Sequence, residues 1–282
     1  MVDLKIIKNQ KILHKEIQKN KEKKKKIGFV PTLGSLHKGH LELIRLAKKK
    51  SDIVVVSIFL NPLQFNSKRD FKKYPINLTS DKKKINKEKV DILYIPTIKE
   101  IFPDKKIKRI KASKISKKLC GKFRKGHFDG VVTVIKSLFD QVSPNIAFFG
   151  EKDYQQILVI KDLISKFNLR IKIITINTIR ENSGLAYSSR NSLLNNKQKK
   201  VASLLFKIIK KISIQAKNNL KILNMLKDMG KKELANNGFK KIDYLEIYNE
   251  KNLSIKNIKK NNLRVFVSAT IGDTRLIDNY KS

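Results

Sequence analysis

The feature that most constrains the fold is a series of short, dense apolar runs separated by stretches of helical periodicity. Ile27–Thr32 (IGFVPT), Asp52–Leu60 (DIVVVSIFL), Val90–Ile95, Asn145–Gly150 and Arg170–Asn177 are strand-length; the continuous apolar runs among them suit strands covered on both faces. Between them, Leu41–Lys50 sets Leu43, Ile44 and Ala47 on one helical face. Leu78–Lys89 and Tyr154–Phe167 read as helices, and Phe128–Val142 repeats Val131, Val134, Ile135 and Leu138 at the same spacing. Strand–helix alternation over residues 27–177 predicts an α/β fold with a parallel sheet and helices on both faces. After about residue 180 the pattern changes. Helices near 196–217 and 220–236 precede β-rich runs at 241–248 and 263–271, which predicts a smaller C-terminal α+β domain. The boundary falls in the polar segment 178–190, giving expected domains of 1–178 and 179–282.

Charge raises one functional class and weakens it. With 64 Lys+Arg against 24 Asp+Glu, the 282 residues carry +40, which invites a nucleic-acid reading. Yet 55 of the basic residues are Lys and 9 are Arg, and Arg is the residue suited to bidentate phosphate and base contacts. The lysines are spread along the whole chain, which predicts a solvated basic surface with no specific nucleic-acid partner. Cys120 is the sole cysteine, which excludes an internal disulfide and a multi-cysteine zinc site. No apolar run approaches the roughly 20 residues of a membrane span. The opening MVDLKIIKNQKILHKEIQ lacks an apolar signal core. The expectation is a cytoplasmic protein without a membrane partner.

The segment Pro31-Thr32-Leu33-Gly34-Ser35-Leu36-His37-Lys38-Gly39-His40 follows the first of these strands and opens a helix. A helix start at the carboxyl end of a parallel strand offers N–H groups and the positive end of a dipole, both suited to phosphate. His37 and His40, three residues apart, share one side of the first turn. Two imidazoles there can donate to oxygens that gain charge during displacement at phosphorus. A helix start with surface histidines would carry the same spacing. Other polar segments sit at strand ends or at the domain boundary: Asn61-Pro62-Leu63-Gln64-Phe65, Gly150-Glu151-Lys152-Asp153-Tyr154-Gln155-Gln156, and Gly184-Leu185-Ala186-Tyr187-Ser188-Ser189-Arg190-Asn191. The amides of Asn61 and Gln64 can bond a carboxylate or hydroxyl without adding charge. Lys152 can reach phosphate, and Asp153 suits a ribose hydroxyl, Mg²⁺ or a helix cap. Gly126-His127-Phe128-Asp129-Gly130 is a capped helix start or, with Arg124, a substrate-side loop.

His37-Lys38-Gly39-His40 resembles the HxGH signature of the nucleotidyltransferase superfamily. With the segments above and Thr274-Arg275-Leu276-Ile277-Asp278-Asn279, in that order and spacing, the whole chain resembles the pantoate–β-alanine ligase family. That resemblance implies a Rossmann-like first domain binding nucleotide and pantoate, a C-terminal α+β lid domain, and a homodimer. It implies condensation of (R)-pantoate with β-alanine through a pantoyl adenylate, with Mg²⁺ accompanying ATP. His40, His37 and Lys152 would then be catalytic. Leu33, Gly34, Ser35, Leu36, Lys38, Gly39, Gly150, Glu151, Asp153, Ile179, Tyr187, Ser188, Ser189 and Arg190 would complete the ATP site. Gln64, Gln156 and Asn61 would bind pantoate or β-alanine, and no metal ligand is assigned on the protein. Two positions depart from the family pattern: Leu33 where Met is frequent, and Ser183 where Asp usually precedes Gly-Leu-Ala. Another HxGH nucleotidyltransferase would keep the histidines, but the NPLQF and GEKDYQQ segments argue against it.

Overall fold

Ile27, Phe29, Val30, Val54, Val55 and Val56 are fully buried, because they belong to the two central strands of a sheet covered on both faces. A computed structural model describes residues 4–103 and 108–282. The chain forms two compact units. The first comprises the described residues up to Ser113, together with Arg124–Glu151 and Val159–Asn177; the second comprises Lys114–Phe123, Lys152–Leu158 and Thr178–Ser282.

The first unit is built on β1 (Lys5–Ile7), α1 (Gln10–Glu22), β2 (Ile27–Thr32), α2 (Lys38–Lys50), β3 (Ile53–Ile58), α3 (Lys68–Lys73), α4 (Leu78–Lys87), β4 (Ile92–Tyr94) and α5 (Ile98–Ile101). After α6 (Leu119–Phe123), which belongs to the second unit, come α7 (His127–Val142), β5 (Ile146–Gly150), α8 (Tyr154–Lys166), whose residues up to Leu158 belong to the second unit, and β6 (Lys172–Ile176). The sheet is parallel throughout, in the order β1-β4-β3-β2-β5-β6. Side chains alternate across it. Val30, Val54, Val56 and Phe148 join Leu43, Ile44 and Ala47 of α2 and Ile85 of α4 in one core layer. Phe29 turns the other way and meets Phe139 of α7 edge-on at 6.3 Å. Fully burying one side chain such as Ile44 contributes roughly 2 kcal/mol.

The second unit contains α9 (Asn196–Ala202), α10 (Leu204–Asn218), α11 (Leu223–Asn236), β7 (Lys241–Asn249), β8 (Leu263–Ile271) and β9 (Thr274–Tyr280). Its sheet is antiparallel, in the order β7-β8-β9. Ile208, Ile209 and Ile212 of α10, with Leu226 and Leu234 of α11, form its core against Leu245, Val265 and Val267. The helix expected over 196–217 is two helices parted at Ser203. α2 begins at Lys38, three residues before the apolar periodicity starts at Leu41, so the HKGH segment is itself the first turn.

Candidate active site

The strand order runs outward from β2, to β3 and β4 on one side and to β5 and β6 on the other. It therefore reverses between β2 and β5, and open α/β sheets bind ligands outside the carboxyl ends of strands at such a switch point. β2 ends at Thr32 and β5 at Gly150, so Leu33–His40 and Gly150–Glu151 leave neighbouring strands.

The loop after β2 is held in an unusual path. Gly34 and Ser35 have φ of 87° and 53°, successive left-handed residues, of which only the glycine is at ease there. The restraint is Asp81, in the first turn of α4. Its carboxylate is 1% exposed and accepts the Ser35 N–H at Oδ2 and the Leu36 N–H at Oδ1, each at 2.7 Å. Lys84 Nζ donates to the Leu36 carbonyl at 2.6 Å. Thr32 Oγ1 donates to Ser57 O at 2.8 Å and accepts from Gly34 N at 3.2 Å. The backbone donors of Ser35 and Leu36 are thus committed to Asp81.

His37 is the N-cap of that helix. The rings of His37 and His40 lie 4.0 Å apart, tilted by 30°. His40 Nδ1 accepts from the His37 N–H at 3.3 Å, which leaves Nε2 as the proton-bearing nitrogen of a neutral ring. A Cβ at Gly39 would lie 3.1 Å from the His37 imidazole, so glycine gives that ring its seat.

Asn61 and Gln64 come together on the short turn Pro62–Gln64 after β3. Asn61 is 1% exposed, and its amide is bonded inside the protein. Oδ1 accepts from Leu63 N at 3.0 Å, which forces Nδ2 to the opposite side, where it donates to Gln64 Oε1 at 3.0 Å and Gly130 O at 3.1 Å. Gln64 must then present its NH₂ group outward, a donor matched to a carboxylate or hydroxyl oxygen. Asn61 orients Gln64, where the sequence suggested that it touches substrate itself. α7 packs so closely here that a Cβ at Gly130 would run into the Leu63 carbonyl. Arg124 Nη2 donates to Gln64 O at 3.1 Å, and His127 Nδ1 lies 2.7 Å from the same oxygen.

In the second unit, Lys152 lies in the turn Glu151–Asp153 that leads into α8, with Nζ 3.6 Å from Asp153 Oδ1. The two glutamines that follow differ. Gln155 is buried in scaffold bonds, accepting from Cys120 N at 3.0 Å and donating to Ile115 O and Lys118 O at 3.0 and 2.7 Å. Gln156 is half-buried. Residues 179–190 form a tight loop: Tyr187 N donates to Ile179 O at 3.0 Å, Arg180 pairs with Ala186, and Gly184 takes φ of 92°. Ser183 Oγ accepts from Leu185 N at 3.3 Å, so the hydroxyl caps the turn. Ser188 Oγ accepts from Arg190 N at 3.2 Å, bringing Ser188, Ser189 and Arg190 into one turn. Cys120 is buried, its Sγ 3.0 Å from Tyr244 Oη. Burial first, then the neighbouring thiol, pushes the Tyr244 hydroxyl well above its ordinary range.

Sequence reading missed Asp81, and it named Gly130 within the Gly126–Gly130 segment without its close packing against Leu63. The signal for Asp81 was a single acid ahead of Lys82-Lys83-Lys84 in a helix's first turn, which looks like a solvated face until the sheet turns it inward.

The sheet order, the switch point and the HKGH helix start define a Rossmann-like α/β protein with a smaller α+β unit. The chain belongs to the pantoate-beta-alanine ligase family, whose model matches residues 5–281. It is 46% identical over 283 residues to a pantothenate synthetase of Buchnera aphidicola subsp. Acyrthosiphon pisum (strain 5A), covering 98% of both chains. It is 41% identical to that of Thermoanaerobacter sp. (strain X514), covering 93% of both. Among solved structures, it resembles pantoate-beta-alanine ligase from Francisella tularensis complexed with beta-gamma ATP and beta-alanine, with 37% identity and a TM-score of 0.83 over 99% of this chain and 98% of that one. The Thermus thermophilus pantothenate synthetase gives a TM-score of 0.90 at 32% identity, covering 98% of this chain and 99% of that one.

Proposed function

We propose that the chain condenses (R)-pantoate with β-alanine to give pantothenate, with ATP converted to AMP and pyrophosphate. A pantoate carboxylate oxygen attacks the α-phosphorus and the Pα–O–Pβ bond breaks, yielding pantoyl adenylate and pyrophosphate. The β-alanine amine then attacks the acyl carbon and the C–O bond to AMP breaks, the amine losing its proton. The observation that carries this reading is the family match over residues 5–281.

The geometry supports a division of labour. His40 Nε2, with His37 beside it, donates to phosphate oxygens as charge moves onto them. Lys152, Ser188, Ser189 and Arg190 neutralise the rest of the triphosphate. Gly34, Lys38, Gly39, Gly150, Glu151, Asp153, Ile179 and Tyr187 line the nucleotide's path. Leu33, Ser35 and Leu36 shape the loop. Gln64 and Gln156 hold pantoate through neutral hydrogen bonds, leaving its carboxylate undamped as a nucleophile. No covalent protein nucleophile is required, and rate comes from positioning and electrostatics.

Mg²⁺ enters with ATP as substrate, bound chiefly by phosphate oxygens. Among the described residues no group of three or more His, Cys, Asp or Glu side chains is arranged to hold a metal ion. We place the enzyme in the cytoplasm as a homodimer with no specific nucleic-acid partner. No described helix is long and apolar enough to cross a membrane. The direct test is AMP formation by the purified protein. The expected result is AMP release that requires both pantoate and β-alanine; release indifferent to either would overturn the reading.

A further inference from the structure

β9 carries a sequence motif that the reaction above leaves without a task, Thr274–Asn279. Asp278 and Asn279 are polar side chains only 5% and 4% exposed. Asn279 Nδ2 donates to the carbonyl oxygen of Lys152 at 3.0 Å, and its Oδ1 accepts from Arg264 Nη1 at 2.7 Å. A guanidinium only donates, so the oxygen of this amide must face Arg264 and the NH₂ must face Lys152. Arg264 is itself held, its guanidinium 3.9 Å from the Tyr154 ring centroid and its Nε 3.3 Å from Glu250 Oε2.

The neighbouring residue anchors the other loop. Asp278 takes Arg180 bidentately at 2.6 and 2.9 Å, and its Oδ1 also accepts the Asn279 N–H at 2.8 Å. Arg180 Nη1 donates to Gly184 O at 3.1 Å, and the guanidinium lies 3.7 Å from the Phe206 ring centroid. One dipeptide of β9 therefore fixes the base of the 180–186 turn, from which Tyr187–Arg190 departs, and the backbone of Lys152.

We propose that Asn279 is a positioning residue for the adenylation step. It locks the peptide plane at Lys152 and, through it, the direction in which the lysine side chain leaves the chain. Glu151–Asp153 is a 3₁₀ turn running directly into α8, and Asn279 adds a bond to its backbone from a different element, β9. Lys carries large rotamer freedom, so the fixed element available to aim its ammonium is the Cα–Cβ vector. A misplacement of about 1 Å at a reacting centre costs on the order of a hundredfold in rate. The inference rests on the reading of Lys152 as a phosphate ligand.

The test is Asn279→Asp in the full-length enzyme. The change keeps an oxygen for Arg264 and turns a second oxygen toward the Lys152 carbonyl, replacing attraction by repulsion. AMP formation is measured with pantoate, β-alanine and ATP each varied, beside Lys152→Ala and a thermal melt of each protein. The expected result is a kcat reduced about tenfold or more, with the pantoate KM within about twofold of the parent. The melting temperature should fall by roughly 6–12 °C, as for the loss of any one buried hydrogen bond to a group left facing its like, with the protein still folded at the assay temperature because the contact to Arg264 survives. A kcat within about twofold of the parent, while Lys152→Ala is badly impaired, would overturn the role of Asn279 alone. Full turnover in Lys152→Ala would instead overturn the reading of Lys152 itself, and the inference with it. A melting loss beyond that range with every KM raised together would assign Asn279 to the scaffold and also overturn the proposal. Asn279→Ser, too short to reach Lys152 O, is read by the same outcomes should the aspartate variant fail to fold.

Discussion

Asp81→Asn isolates the restraint on the loop that carries the two histidines. The native carboxylate receives two backbone N–H groups at 2.7 Å in a site 1% exposed. Hydrogen bonds to a charged acceptor contribute about 1.5–3 kcal/mol each. The asparagine keeps one oxygen for one N–H and turns its NH₂ against the other, so one bond is lost and a donor faces a donor. The expected cost is about 3 kcal/mol. At about 2–4 °C per kcal/mol for chains of 150–250 residues, the melting temperature should fall by roughly 6–12 °C. The strained Ser35, at φ 53°, then relaxes and carries the start of α2 with it. The ATP KM should rise with the lost stability, while the pantoate KM changes less. Thermal melts and AMP formation with ATP varied measure both. A variant that melts within about 1 °C of the parent with an unchanged ATP KM would refute the reasoning.

Three further outcomes follow from the same geometry. His40→Ala should lower turnover about a hundredfold with a smaller change in ATP affinity, since loss of one such donor costs ~3 kcal/mol in the transition state; ATP titration beside steady-state kinetics separates the two. Gly130→Ala, whose methyl group would collide with the Leu63 carbonyl, should displace Gln64 and raise the pantoate KM about as much as Gln64→Ala, on the order of tenfold for one hydrogen bond. The +40 charge should give only weak RNA or DNA binding that falls steeply between low and physiological salt, measured by fluorescence anisotropy; tight, sequence-selective binding at physiological salt would show a dedicated interface.

The central sheet was legible because continuous β-branched runs such as Ile53–Ile58 have no other natural home than a strand covered twice. β9 was not, because its sequence TRLIDNY buries Asp278 and Asn279 against partners far away in the chain, and polar residues in a strand look like a loop. α1 escaped for a related reason: Leu13 and Ile17 are its buried apolar anchors among many lysines. At the site, residue types and spacing pointed to the imidazole pair, and the family resemblance added the glutamines. They could not show whether Asn61 faces a ligand or its neighbour, since a backbone N–H from Leu63 decides that. Only the resemblance singles out Gln156 over its neighbour Gln155; the structure adds that Gln155 is spent on Cys120 N and the 115–118 turn.

The measurement that bears most directly on the account is exchange of labelled pyrophosphate into ATP. If the carboxylate of pantoate is activated first, exchange should proceed with pantoate and ATP alone, and β-alanine should not be needed. β-Alanine without pantoate should support none, because its carboxylate is not the group that meets the α-phosphorus. Exchange driven by β-alanine, or no exchange with pantoate while net AMP formation still runs, would contradict the adenylate order and the assignment of the subsites around His40 and Gln64.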